Sequence, residues 1–294
     1  MPNKRYLSTS TQLDLTDIVK NLHGLRDPNQ TSGVTRKMGL LDLFGEEAKL
    51  LRDSGVKPSS VISVLFAALQ LPAGSPLGRA GALCCAHADQ SSDTPHYHNP
   101  HHIVEVLAAA YVLGRREKLP VYRVGELLVA ASAHDLGHTG QNNQFDYERE
   151  SVSVQIAHPL FLEAGLDQDV IERIARMIYA TDFKVGVVWS RQNYHETQNL
   201  VPDDENRLLA AQCQLLTEAD VLFSCFDLSY NEFLSKLLSA EWKRTGPNLT
   251  LAERIRFVSY VQFISKAAQQ LGLEDRRQKL LRNLVRLQAT QPRP

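Results

Sequence analysis

The apolar residues of this chain recur at spacings of three and four along most of its length, and no run alternates cleanly with period two. Half-buried strands need the second pattern and helices need the first, so the sequence points to an all-α fold. The spacing predicts helices over residues 37–52, 61–70, 103–113, 121–134, 168–180, 205–226, 251–271 and 275–288. Thr250 and Glu253 have the spacing of a capping box ahead of 251–271. Residues 185–189 are apolar and β-branched, but the run is too short and too isolated to form a sheet. Residues 24–35, 88–97 and 186–206 read as loops. Neither a linker rich in Pro, Gly or Ser nor an internal repeat divides the chain. The expected organisation is therefore an arm or cap over residues 1–35 and one helical domain over 36–294.

A chain of 294 residues with 43% hydrophobic and 22% charged residues can bury a core and stay soluble. Its formal net charge of −1 provides no general basic field, so no nucleic acid polymer is expected as a partner. An anionic substrate would have to be held locally, by metal ions or a few placed donors. The helix over 275–288 carries five Arg and Lys residues around Leu280, Leu284 and Leu287, the pattern of a solvated amphipathic surface helix. None of the four cysteines lies in a CxxC pair, which suits a reducing compartment. Neither a secretory apolar run nor a membrane-length segment is present, so a cytoplasmic protein with no membrane contact is expected.

Six of the ten histidines fall between positions 96 and 138, in two short blocks. The first reads His96-Tyr97-His98-Asn99-Pro100-His101-His102. Asn99 suits an N-cap and Pro100 the first helical position, so His102 lies in a first turn while His98 stands just before the helix. That separates a fixed ligand from a mobile proton donor or anion contact. The second block reads His134-Asp135-Leu136-Gly137-His138-Thr139-Gly140-Gln141-Asn142-Asn143. His134 and Asp135 continue the face of Val124, Leu127, Leu128 and Ala131, and so point inward. A buried charged Asp is costly unless paired or bound to metal, and imidazole with carboxylate suits a divalent ion. Gly137 and Gly140 permit sharp turns that leave His138 near the open side of such an ion, and Asn142 and Asn143 can fix the loop. Asp220, inside the otherwise apolar Leu215–Phe223 stretch, needs a partner of the same kind.

These blocks resemble the signature of the class I cyclic-nucleotide phosphodiesterases, within the wider HD phosphohydrolase superfamily. The family's Tyr-His-Asn-x-x-His block matches Tyr97–His102, and its His-Asp-x-x-His-x-Gly-x-x-Asn-x-Phe block matches residues 134–145. Ala180-Thr181-Asp182 and Thr217-Glu218-Ala219-Asp220 resemble later family segments, so the likeness spans roughly residues 90–270. It implies a compact multi-helix bundle around a dinuclear metal pocket. His102, His134, Asp135 and Asp220 would hold a zinc or iron ion, and Asp135 would bridge to a magnesium or manganese ion. A hydroxide bridging the two would attack phosphorus. By the same resemblance His98 is the general acid, His138 contacts the hydroxide or the phosphate, and Tyr97 and Asn143 line the substrate site. Glu150 or Glu148 supports the second ion, with Thr181 behind the centre. The family reads the purine with a glutamine and stacks it on a phenylalanine. Here Arg254 and Phe257 stand at those positions, and Phe223 replaces a polar asparagine.

The catalytic half thus matches and the base-reading half departs. Three readings follow. The first is a cyclic or linear nucleotide phosphodiesterase with atypical base recognition. The second is an HD hydrolase of another phosphate ester or a phosphonate. The third is a non-catalytic binding module, which the retained His98 disfavours.

Overall fold

The computed structural model of the chain describes residues 55–90, 96–242 and 249–290. Among these the structure is all helical, with no strand. In order the helices are α1 (Pro58–Ala68), α2 (Pro76–Ala88), α3 (Pro100–Arg116), α4 (Val121–Ala133), α5 (Glu148–Glu163), α6 (Gln168–Tyr179), α7 (Gly186–Thr197) and α8 (Glu205–Val221). A 3₁₀ turn at Phe223–Cys225 leads into α9 (Leu228–Glu241), α10 (Leu251–Tyr260), α11 (Lys266–Leu271) and α12 (Leu273–Thr290). The helix expected over 37–52, the loop over 24–35 and the boundary near residue 35 lie outside the described residues.

Three helices form the centre. The interior of α3 is buried on every face from His102 to Gly114, α4 is buried from Arg123 to Ala133, and α8 from Ala210 to Ala219. All three pack on one another. A helix apolar all round must be enclosed, and α1, α2, α5, α6, α7 and α11 enclose these, with α12 packed outside them on α10 and α11. Fully buried leucines such as Leu107, Leu127 and Leu216 each contribute about 1.5–3 kcal/mol.

Polar groups also tie the centre together. The carboxylate of Glu126, buried on α4, accepts from Arg123 (2.8 Å), from Arg173 on α6 (2.7 Å) and from Gln212 on α8 (3.1 Å). A buried carboxylate is tolerated when it is satisfied in this way.

The sequence pattern and the structure differ where tertiary hydrogen bonds override local periodicity. The run predicted as one helix over 251–271 breaks after Tyr260. Glu218 on α8 accepts the amides of Ile264 (2.7 Å) and Ser265 (2.9 Å), and Glu274 accepts that of Phe263 (3.2 Å). Those amides are therefore lost to a helix. The loop expected over 186–206 is instead helical from Gly186 to Thr197. Buried Asp182 nucleates it by accepting the amides of Lys184 and Val185, each at 2.8 Å. Glycine is required at 186, because a Cβ there would lie 2.3 Å from the carbonyl oxygen of Tyr179. The helices α2, α5 and α9 have no strong apolar periodicity and were not expected from it; α5 even contains Pro159. The capping box at Thr250 and Glu253 forms as expected, with Thr250 Oγ1 accepting the Glu253 amide at 3.2 Å. No helix of the described residues is long and apolar enough to cross a membrane.

Candidate metal and phosphate site

The central helices end together, and their ends bring four side chains of metal-ligating type to one point. On α3, the Asn99 side chain accepts the amides of His101 (2.9 Å) and His102 (3.2 Å), and Pro100 occupies the first turn. This cap fixes His102 at the helix entry, almost fully buried. At the exit of α4, His134 Nδ1 donates to the Ala131 carbonyl at 2.9 Å, which leaves Nε2 as the bare ring nitrogen. Asp135 follows directly, and Asp220 stands at the exit of α8.

The four ligand atoms converge. His102 Nε2 lies 3.0 Å from Asp220 Oδ1 and 3.4 Å from Asp135 Oδ2, and His134 Nε2 lies 3.6 Å from the first of those oxygens and 3.2 Å from the second. His134 Nε2 and Asp135 Oδ2 are buried and have no hydrogen-bond partner. Buried polar atoms are seldom left bare, and two nitrogens with two carboxylate oxygens form a donor set for a divalent cation. The residues therefore fit a metal ion. Burial works against charge on Asp135, but the adjacent His134 and His98 outweigh it and hold the carboxyl well below its usual range. The anionic form that binds a cation is thus the resting form.

Beside this centre, His98 and His138 stack with ring centroids 3.7 Å apart. Both cannot carry charge at that distance, and Glu241 decides between them. Glu241 Oε1 lies 2.6 Å from His98 Nδ1, and its Oε2 accepts the amides of Tyr97 (2.7 Å) and His98 (3.0 Å). Burial lowers the His98 pKa, but Asp135 and Glu241 more than offset it, and the net shift is upward. His138 moves the other way, to about 4, through burial and repulsion from His98. Its Nδ1 accepts the Gly140 amide at 3.0 Å, so the neutral ring keeps its proton on Nε2. Gly137 (φ 75°) and Gly140 (φ 77°) make the left-handed turns that place this ring.

The loop is pinned from behind. Asn143 Nδ2 donates to Glu150 (2.9 Å) and Asp182 (2.8 Å), and its Oδ1 accepts the Arg149 amide at 3.0 Å. Burial raises the Glu150 pKa to about 7. Glu148 instead accepts the Gln144 amide in an exposed position. Thr181 Oγ1 donates to the Ile178 carbonyl at 2.7 Å.

A cavity of about 570 Å³ opens over the centre. Its lining includes Tyr97, His98, His134, Asp135, His138, Asn143, Glu150, Thr181, Asp182, Asp220, Arg254 and Phe257. Such a volume suits a nucleotide-sized ligand.

Residues 97–161, which contain both histidine blocks, match the 3'5'-cyclic nucleotide phosphodiesterase family. Two solved structures share the fold. One is the structure of LmjPDEB1 in complex with IBMX, 16% identical, with a TM-score of 0.63 over 96% of this chain and 95% of that one. The other is the phosphodiesterase domain of the RhoPDE fusion protein from the choanoflagellate Salpingoeca rosetta, 20% identical, with a TM-score of 0.57 over 79% of this chain and 90% of that one. The chain is phosphodiesterase-like. No curated protein sequence matches it.

In this phosphodiesterase-like fold the structure gathers His98, His102, His134, Asp135, His138 and Asp220 in one place, with Tyr97, Asn143, Glu150, Thr181, Arg254 and Phe257 around the same cavity. Phe223 stands apart from them. It is buried, with its ring 6.1 Å from that of Phe226 and 5.9 Å from that of Tyr230, and it does not line the cavity. Its ring packs into the core rather than on the cavity wall, so its packing lends no support to the substrate contact expected of it. Sequence reasoning missed Glu241, which lies 143 residues from His98 in an unremarked helix. It also assigned no role to Asp182, although the Ala180-Thr181-Asp182 segment was itself conspicuous.

Proposed function

We propose that the chain is a metal-dependent phosphodiesterase acting on a small cyclic nucleotide. The observation that carries this is the buried, unpartnered pair His134 Nε2 and Asp135 Oδ2, meeting His102 and Asp220 beside a carboxylate-held histidine. His102, His134, Asp135 and Asp220 would hold a zinc or iron ion, and Asp135 would share a second, magnesium or manganese. Bound cations supply an activated water and neutralise phosphoryl charge.

The chain's own groups account for the rest of the reaction. Glu241, 2.6 Å from His98 Nδ1, favours the protonated form of that ring, which lines the cavity. As water attacks phosphorus, His98 delivers that proton to the leaving oxygen, a step typically worth about 10²–10⁴ in rate. Neutral His138 donates from Nε2 to a phosphoryl oxygen, where negative charge grows. Glu150, near neutrality in its pKa, has the basicity to exchange a proton with water at the second position. All four cysteines are buried and free, which suits the cytoplasm.

The test measures metal content together with turnover. Purified full-length chain reconstituted with zinc and manganese is expected to hold about two ions and to hydrolyse cyclic nucleotides and bis(4-nitrophenyl) phosphate. A chain that binds neither ion, or binds both and hydrolyses no phosphodiester, overturns the reading. Hydrolysis of aryl esters or phosphonates alone would favour the broader HD hydrolase instead.

A further inference from the structure

Arg254 stands in the first turn of α10 and lines the same cavity, yet only 8% of it is exposed. Its Nε donates to Asn231 Oδ1 at 2.8 Å. Asn231 is fixed in turn, because its Nδ2 donates to the Ser224 carbonyl at 2.6 Å. The guanidinium plane is therefore set by the fold. Its Nη2 is buried and has no partner. The carboxylates around the cavity are engaged elsewhere. Asp182 is held by Asn143 and backbone amides, Glu150 by Asn143, and Glu253 by Thr250 in the capping box. No carboxylate among the described residues forms an ion pair with Arg254.

Phe257 lies three residues further on, on the same side of α10. Its ring orientation is held by stacking on Phe183, 5.2 Å away with the planes 12° apart. Leu234 and Leu238 of α9 line the same space. The combination is an apolar slot for a flat ring, with the fixed Arg254 side chain in its wall.

We infer that this slot takes a planar heterocycle whose edge offers two adjacent acceptors and no donor, as the O6 and N7 atoms of guanine and hypoxanthine do. The inference rests on the phosphodiesterase reading and names its substrate class: 6-oxopurine cyclic nucleotides. A guanidinium has five donors and no acceptor. Against guanine or hypoxanthine it makes charge-assisted bonds to both acceptors. Against adenine it meets the N6 amino group, a donor facing donors. A matched edge of this kind discriminates by roughly 10- to 100-fold.

Two measurements on the full chain test this. Specificity constants for 3',5'-cyclic GMP, cyclic IMP and cyclic AMP are expected to favour the first two by at least about tenfold. Calorimetric titration with 5'-GMP, 5'-IMP and 5'-AMP is expected to give the same order without requiring turnover. In Arg254→Gln the amide can present either a donor or an acceptor, and the preference is expected to fall to near unity. Arg254→Lys keeps the charge but loses the fork, and is expected to lose the preference too; thermal melts identify any variant that fails to fold. Equal or reversed preference in the unaltered chain, no binding of any purine nucleotide, or an unchanged ratio in a folded Arg254→Gln overturns the inference. If bis(4-nitrophenyl) phosphate is hydrolysed and cyclic AMP is preferred, the phosphodiesterase reading stands and this one fails. If no phosphodiester is hydrolysed, that reading fails and the titration alone decides this one.

Discussion

Replacing Glu241 with glutamine separates its charge from its shape. The carboxylate is buried and makes three hydrogen bonds: to the Tyr97 amide at 2.7 Å, to the His98 amide at 3.0 Å and to His98 Nδ1 at 2.6 Å. A glutamine oxygen can still accept from the two amides, so the approach to α3 keeps its course. The change is at His98, where the oxygen facing Nδ1 becomes an amide NH2, which can donate to a neutral ring but cannot accept from a protonated one. The charge-assisted bond lost in this way is worth about 1.5 kcal/mol at the low end, and one pKa unit corresponds to about 1.4 kcal/mol. The His98 pKa should therefore fall by about one unit. In the proposed mechanism the protonated ring is the active form, so the rate declines as pH rises through its pKa. The alkaline limb of log kcat/KM against pH is expected to move down by about one pH unit in Glu241→Gln. Near pH 6 most of the activity should remain, and above pH 8 about tenfold should be lost. The assay is a pH profile on a cyclic nucleotide from pH 5 to 9, with melts at each end. An unmoved alkaline limb in a folded variant, or one displaced upward, would refute the assignment of His98 as an acid poised by Glu241.

Three further expectations follow from the geometry. In the proposed site Asp135 would serve both ions, so for Asp135→Ala metal analysis should show loss of binding and turnover together, whereas His98→Ala should keep the metal and lose most of kcat. Asp182 is fully buried and accepts from Asn143 and the amides of Tyr147, Lys184 and Val185. Asp182→Ala strands those donors and should cost about 3 kcal/mol in urea unfolding. Burial pushes the Asp182 carboxyl up, but these hydrogen bonds outweigh it and hold the pKa below its usual value. Its contribution is thus present above the unfolded pKa of about 3.9 and lost as pH falls through the lower folded value, so the deficit of the variant should shrink below about pH 4. Gly137→Ala sets a Cβ 2.3 Å from Ile156 Cδ1 at a φ of 75°. It should lower stability by more than the 1–2 kcal/mol of the backbone penalty alone and reduce turnover by displacing His138, as read by melting and kinetics.

Most of the residues that converge at the candidate site were legible in the sequence because a local marker accompanies them. Asn99 and Pro100 announce the helix that bears His102, and the glycines after His134-Asp135 announce the turn that carries His138 onward. Long periodic helices such as α3, α4 and α8 were legible for the same reason, since their pattern is local. Glu241 was not, because the residue it serves lies 143 positions away and nothing in its own helix marks it. The break at 261–265 was hidden in the same way. Its cause is Glu218, whose carboxylate draws the Ile264 and Ser265 amides out of helical register from 46 and 47 residues earlier. The helix Gly186–Thr197 was hidden because a buried aspartate, rather than an apolar stripe, starts it.

The proposed cation-binding cluster draws its members from three separate helices, with His102 and Asp220 standing 118 positions apart. No short stretch of unfolded chain can assemble it, so an ion bound there would recognise the finished core and little else. Loading is then a vote for the native state. At a free concentration one hundred times its dissociation constant, an ion holds the chain folded by about 2.7 kcal/mol. Starving the protein of metal would accordingly shorten its lifetime as well as silence it, and an apo population would be the first to reach a protease.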